Sequence, residues 1–572
     1  MARQPALLSH SSICGPALKR LFLPVSTKKN QPAMASKMDL VERVSYLSST
    51  SKAKTGDDYT GVSTPVDIEG GALRNGGAPN IWGKDYGGIL IQYMAVGMIY
   101  GTLPGTVYPF LNNYLHMEGT QVVSARVLLN LPWSFKVVYG ILSDCFPIFG
   151  YRRRPFMMLG WTVCFLMLLI MACMKAGKPY LLNPKNNKFK LKDYTLEEQK
   201  QYWNLDAPDN GGKFIIMMML AAVGYVGADV AADAVVVELA QREPEAVRGT
   251  TQTTIYMMRT IFVTISGVLT GFAFNSEDYG GDFDFSISFP QLMLILAIFC
   301  LPVIPCTWFF IKEEKHPGVI FKDYITEFWG LIQTRPMYQV IAYKFFSGVF
   351  EKFTVTCADP MQEVWAGATP LNDRILSIIG NAIFALTLFC TGKYGLHWNW
   401  RWMHFITIVI VTVMDSIVTL MTTWDVVRNQ WFWLGVPMVE NLPSGIGFII
   451  ATYVSVELAG EGNEGAVYGL LTTVSNLSDP FASTITKNVN SGFKVTSDDI
   501  ADDTHEVRMD VTYVLIIRYT MNLLGLCFLP LLPSQKAETQ ELKRNGGKSK
   551  KIGAFTIFYV IFALCWSVMV NI

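Results

Sequence analysis

The sequence predicts an all-α integral membrane protein built from two six-helix pseudo-repeats, with one extra C-terminal helix. Three observations predict it. From residue 86 onward, hydrophobic runs long enough to cross a bilayer follow one another with short breaks. Of the 572 residues, 51% are hydrophobic and 16% charged, whereas soluble domains carry about 25% charged residues. A short motif, VELA, stands at 237–240 and recurs at 456–459.

Residues 1–85 are polar, rich in Ser, Gly and Lys, and without sustained periodicity, as expected of a disordered cytoplasmic tail. Arg3, Lys19, Arg20, Lys28, Lys29 and Lys37 precede the first acid, Asp39, a composition shared by transit peptides and by plain basic tails. Six runs near 86–111, 120–143, 156–174, 213–240, 250–275 and 290–311 make a first bundle, 86–311. A hydrophilic connector, 312–335, follows. Its Phe321, Ile325, Phe328 and Ile332 recur at helical spacing, so part of it is expected to lie on the membrane surface. Runs near 336–358, 371–392, 402–423, 430–458, 463–488 and 511–533 make a second bundle, 336–533. A basic spacer, 534–551, leads to a further span over 552–572.

Orientation follows from the short loop after the second run, where Arg152, Arg153 and Arg154 are adjacent; arginines so placed favour the cytoplasm. The repeat extends beyond VELA. Each copy is followed by an acidic turn and then by Ala246-Val247-Arg248-Gly249 or Ala466-Val467-Tyr468-Gly469. The copies lie six helices apart in one inferred orientation, which is the plan of carriers whose site sits at mid-membrane between two halves.

Several functions are disfavoured. The ten cysteines lie mostly inside hydrophobic runs, with no CxxC pair and no Cys/His metal spacing, so no metal or cofactor is expected. A net charge of +1 gives no reason to expect a nucleic-acid partner. There is no G-x-x-x-x-G-K-[ST], HExxH or G-x-S-x-G, hence no visible chemistry for an ATP-driven pump, a protease or a lipase, and no catalytic residue is named. The scattered His397 and His404 are expected at the interface.

The candidate site residues are charges at membrane depth. Asp229 and Asp233 lie four apart, hence on one face, in the run 213–240. A charge there costs about 2.5–3.5 kcal/mol to insert, so it usually faces a partner or a cavity. Arg259 in the next helix is the expected partner, either as a structural ion pair or as part of proton or substrate binding. Gly224, Ala228 and Ala232 let this helix approach a neighbour closely. Lys136 lies about 10 Å from its helix end and could snorkel to the interface. Lys344 and Glu351 share a face, either to meet a substrate or to neutralise one another. Glu440 sits near Pro443, which should bend that helix and suit a cavity wall. Aligned on VELA, the second-half counterparts of Asp229 and Asp233 are Phe448 and Thr452, so only the first half carries the carboxylates.

Gly140 and Asp144, followed by Gly150 with Arg152, Arg153 and Arg154, resemble the loop signature of the major facilitator superfamily, with a gap about three residues longer than usual. Asp144 pairing with an arginine would lock the cytoplasmic faces together. The longer block Leu131-Pro132-Trp133-Ser134-Phe135-Lys136, Tyr139 to Asp144 and Phe146 to Pro155 resembles the folate–biopterin transporter family, and the extended 176–212 loop with the late hydrophobic segment resembles its protozoan members. The block Ala228-Asp229-Val230-Ala231-Ala232-Asp233-Ala234 and Arg259 support the same resemblance. It covers residues 86–535. The resemblance implies a secondary carrier of folates, pterins or, in some relatives, S-adenosylmethionine, often proton-coupled, with membrane lipid around it. The plasma membrane is the expected location, an organellar membrane the alternative, and a monomer is assumed.

Overall fold

The computed structural model describes residues 69–182, 201–281 and 283–571. The chain divides into two compact units, 1–67 and 68–572, and every described residue lies in the second. Among the described residues no strand forms, only isolated bridges.

Each run read from the sequence is a helix or a broken helix. In the first half, α1 (Gly87–Thr106) continues into a wide turn over Val107–Tyr114. The second span is two helices, α2 (Gly119–Ser134) and α3 (Lys136–Cys145). They part at Phe135, just after Pro132, whose ring removes a backbone donor from the helix. Then come α4 (Arg154–Cys173), α5 (Gly211–Gln241), α6 (Thr250–Ala273) and a second broken span, α7 (Phe289–Cys300) with α8 (Val303–Phe309). The connector holds α9 (Phe321–Ile332). The second half comprises α10 (Arg335–Glu351), α11 (Pro370–Tyr394), α12 (Trp400–Thr423), α13 (Gln430–Leu458), α14 (Glu464–Asn490) and α15 (His505–Leu524). A polar helix, α16 (Lys536–Asn545), precedes the extra span α17 (Lys550–Asn571). The helix α13 runs on through Pro443.

Nine helical segments among the described residues are long and apolar enough to cross a membrane. The helices α1, α2, α3, α10 and α14 fall outside that set, and each lends a residue to the cavity between the halves: Tyr100, Asn130, Lys136, Lys344 and Asn476. A helix that faces a cavity tolerates polar groups that lipid would penalise.

The halves meet chiefly where α3 packs on α14 and α6 on α11. At Gly140 a Cβ would stand 2.3 Å from the carbonyl oxygen of Gly465, so only glycine permits this approach. Within the first half, a Cβ on Gly160 would meet the Gly224 carbonyl at 2.5 Å. The small residues of α5 therefore close on α4, as their spacing predicts.

The face that carries the arginine loop is strapped from three sides. Of the segment read as a tail, residues 1–68 lie outside the described residues, and 69–85 lie on this face. There the backbone N–H groups of Leu73 and Arg74 donate to the Gln241 carbonyl at 2.9 and 3.1 Å. The helix α9 does form, but Tyr324, Phe328 and Ile332 are buried against the protein, not in lipid, and the Tyr324 hydroxyl donates to Asp144 at 2.9 Å. On α16, Lys536 Nζ donates to the carbonyls of Arg248 (2.7 Å) and Glu245 (3.1 Å) in the first half. From the same helix, Gln540 and Lys543 reach the second VELA turn, at Glu457 and Ala459. Helix α17 lies against α14, with Trp566 stacked on Phe481 at 5.6 Å.

Burial, only partly offset by Glu457, lowers the Lys536 ammonium from 10.5 to about 8. A base whose pKa falls on docking gives up its proton more readily when docked. The α16 contact is therefore weaker below about pH 8 and strengthens as pH rises toward the undocked value. Tryptic cleavage at Lys543 and Arg544 should slow between about pH 7 and about pH 9.5, after correction for the protease's own profile. Lys536→Met should shrink that pH dependence, the remainder coming from Lys543, which burial also lowers; a variant that keeps it in full would exclude Lys536 as a cause.

Candidate functional site

The cavity between the halves has a volume of about 1100 Å³. It runs from Lys136 and Tyr468 outward to Lys487 and Asn488, near the end of α14 remote from the arginine loop. Its lining holds six cations, Arg126, Lys136, Arg259, Lys344, Lys352 and Lys487, against a single acid, Asp479. Tyr100, Trp133, Phe448, Tyr468 and Trp566 supply aromatic surface.

At its inner end Lys136 occupies the first position of α3, just past the break at Phe135. Its side chain is 2% exposed, so it does not snorkel. Lys136 Nζ binds Asp229 Oδ2 at 2.6 Å and Asp233 Oδ2 at 2.8 Å. The i,i+4 spacing on α5 brings both carboxylates to one ammonium. Tyr93 and Tyr256 both donate to Asp233 Oδ1, the latter at 2.9 Å. Asp229 Oδ1 is buried and makes no hydrogen bond. Lys136 also faces the Trp133 ring at 4.6 Å and the Tyr468 ring at 5.8 Å.

The expected Arg259–Asp pair is therefore not formed. Arg259 lies over the rings of Tyr256 (4.9 Å) and Phe448 (5.3 Å), the latter the second-half counterpart of Asp229. Spacing gives the face on which the aspartates lie but not the helix they meet, and α3 presents its lysine there first. Tyr93 and Tyr256 carried no sequence signal beyond being aromatic. Lys344 and Glu351 form no ion pair, and Lys344 lines the cavity without one among the described residues. His404 Nε2 lies 3.0 Å from Glu351 Oε1 inside the second half. Glu440 stands apart, in a separate pocket of about 200 Å³ beside the Asp415–Arg518 pair, with its Oε1 unbonded.

The arginine-loop residues meet across the halves. Arg153 pairs with Asp144 (2.5 Å) in its own half and with Glu464 (3.0 Å) at the start of α14. Asp144 also accepts from the Ala466 and Gly465 backbone N–H groups at 2.8 and 3.3 Å, capping α14 from the other half. Arg74 pairs with Glu464 as well. Gly150 takes the left-handed turn at φ 84°. Glu313 accepts the backbone N–H groups of Arg152, Arg153 and Arg154 at 2.6, 2.8 and 3.0 Å. Arg154 stacks over Trp308 at 4.8 Å. Where the repeats meet, Arg248 pairs with Glu457 at 2.7 Å. Glu464 and Glu313 escaped the sequence reading because loop acids look solvated until their partners are known.

The described residues form a helical bundle in two halves around a polar cavity that is shut at one end. The crystal structure of a D-xylose–proton symporter superposes with a TM-score of 0.51 at 12% identity, over 78% of this chain and 97% of that one. The fold is that of the major facilitator superfamily, and the chain is an integral membrane protein. Residues 97–183 match the BT1 family. "Folate transporter 1" of Plasmodium falciparum (isolate 3D7) is 36% identical over 63 residues, 11% of this chain and 12% of that one. "Folate-biopterin transporter" of Synechocystis sp. (strain ATCC 27184 / PCC 6803 / Kazusa) is 23% identical over 473 residues, 79% of this chain and 82% of that one. The recognition of a folate–biopterin transporter relative from the loop block is borne out, and the BT1 match contains that block.

Removing the cation of the buried triad leaves two unpaired carboxylates. Lys136→Met should destabilise the folded protein by about 3–5 kcal/mol, and adding Asp229→Asn and Asp233→Asn should restore much of that loss. Thermal unfolding in detergent measures both. Additive losses would show that the three residues do not act as one unit.

Proposed function

We propose that this protein moves folate- and pterin-type organic anions across a membrane by alternating access, coupled to protons. One observation carries the reading: beyond the Lys136–Asp229–Asp233 triad, the described lining of the cavity sets five cations and five aromatic side chains against one acid. Such a wall favours a flat aromatic solute bearing carboxylates. It disfavours S-adenosylmethionine, whose sulfonium is cationic, and that carrier remains the second reading because some relatives of this type take it. A receptor or scaffold without flux is the third. The names of the Plasmodium and Synechocystis relatives point to the same solute class.

The arginine-loop network supports alternating access. It closes one end of the cavity through Asp144, Arg153 and Glu464, contacts that must part if the halves rock. On the loop's charge that end is cytoplasmic, so the cavity faces outward. Coupling is assigned to the triad. A proton on the unbonded Asp229 Oδ1 weakens that carboxylate's hold on Lys136, freeing the ammonium for a substrate carboxylate. Proton and anion then load together. One chain supplies both walls of the cavity, so we take the monomer as the transporting unit and the plasma membrane as its site.

Uptake of labelled folate, biopterin and S-adenosylmethionine into cells lacking their own carriers tests the reading. Saturable folate or biopterin flux that rises at acidic outside pH is expected, with little S-adenosylmethionine entry. No flux of any of the three, with the protein shown at the surface, would refute it. Asp229→Asn should abolish accumulation against a gradient and leave exchange; normal accumulation would remove the proton role.

A further inference from the structure

A second cavity, about 630 Å³, lies inside the C-terminal half among α10, α12, α13 and α15. It adjoins the central one across a shared wall, since Lys344, Lys352, Phe448, Ala451 and Ser475 line both. The chemistry changes across that shared wall. The central cavity is basic, whereas the inner one carries the carboxylate of Glu351.

Glu351 is held by one oxygen only. Its Oε1 accepts from the Ser347 hydroxyl and lies 3.0 Å from His404 Nε2. Its Oε2 makes no hydrogen bond or ion pair with the described residues, and the side chain is 27% exposed, to the cavity. The other acid in the lining, Asp415, is taken up by Arg518 at 2.9 Å and Tyr519 at 2.7 Å. Of the two lysines on the shared wall, Lys352 donates to the Ser475 carbonyl at 2.8 Å, and Lys344 makes no ion pair among the described residues. Phe448 and Tyr343 supply flat apolar surface. A fixed carboxylate with a free edge, beside rings and one lysine's width from a basic chamber, is built for a heteroaromatic ring bearing N–H donors and an anionic tail.

We propose that this inner cavity is a head subsite. Glu351 Oε2 accepts an N–H from the aminopyrimidine edge of the substrate, the ring lies against Phe448, and Lys344 at the threshold meets the first carboxylate of a tail that stays in the central cavity. The inference rests on the folate-type reading above. It explains how one site accepts both a tailed and a tail-less pterin: the head alone fills the inner chamber.

The test uses the purified full-length protein and three probes: folate, biopterin as head alone, and p-aminobenzoylglutamate as tail alone. A charge-assisted hydrogen bond is worth about 1.5–3 kcal/mol, so Glu351→Gln should weaken folate and biopterin at least tenfold. Binding of p-aminobenzoylglutamate should stay unchanged, which also shows that the variant is folded. Equal weakening of all three probes, or of none, overturns the proposal. The wild-type protein gives an independent readout: saturating p-aminobenzoylglutamate should leave room for biopterin, and mutual exclusion overturns the proposal. If the wild type binds none of the three, the folate-type reading itself fails, and the head subsite with it. If it binds folate and biopterin but Glu351→Gln makes no difference, the reading stands and only the subsite falls.

Discussion

The ammonium of Lys136, shared between Asp229 and Asp233 at the seam of the two halves, is the constraint from which much of the structure follows. Three buried charges cannot be left without partners, since each lone charge would cost several kcal/mol. Meeting that requirement places Lys136 at the start of α3, next to the break at Phe135 that follows Pro132. It fixes which face of α5 turns inward. It also recruits Tyr93 and Tyr256, whose hydroxyls complete the hydrogen bonding of Asp233. The triad is close to α14 as well: a Cβ on Gly469 would meet the Lys136 carbonyl at 2.6 Å. The charge cluster of one half is thus set against the backbone of the other.

That proximity links the triad to the closed face. From Lys136, α3 runs one short helix to Asp144, which caps α14 and pairs with Arg153. A displacement of α3 that loosens the lysine would also pull Asp144 from the start of α14. The rigid element between them spans only Lys136–Cys145. A short helix with a charge contact at each end is a plausible two-state element in the physical sense, because both ends bias the same rigid body. The straps formed by residues 69–85 and by α16 add further contacts at that face.

The fold was largely legible in the sequence because lipid imposes its pattern on the helices that face it. The runs, the VELA repeat and the arginine loop are all consequences of burial in a bilayer or of duplication. The site was legible only in part. Asp229, Asp233, Lys136, Asp144 and Arg153 stood out because charge at depth or at a helix end demands an explanation. Which charge meets which did not. Helical spacing places two residues on a face, but whether Lys136 or Arg259 stands opposite depends on the rotation and tilt of a different helix. The partners of His404 and Glu464 were missed for a related reason: each residue looks like a boundary residue until the neighbouring helix is in place. The tyrosines on Asp233 lie in runs where an aromatic residue is as good a core filler as any.

The duplicated halves have diverged along a physical division of labour. In the first half the aspartates of α5 keep a cation, while at the matching positions of α13 stand Phe448 and Thr452. Phe448 still meets a cation, but as a ring beneath Arg259. Exchanging a carboxylate for a ring at this point leaves Arg259 a positive charge that no buried acid cancels by contact, and so keeps the cavity basic. Phe448 also stands in the wall that the central chamber shares with the inner one. Had both halves kept their aspartates, the cavity would be closer to neutral and its cations would be bound to the protein. The asymmetry of a single repeated helix therefore accounts both for the buried triad on one side and for the unsatisfied positive charge on the other, and it is that unsatisfied charge which an anionic solute can use.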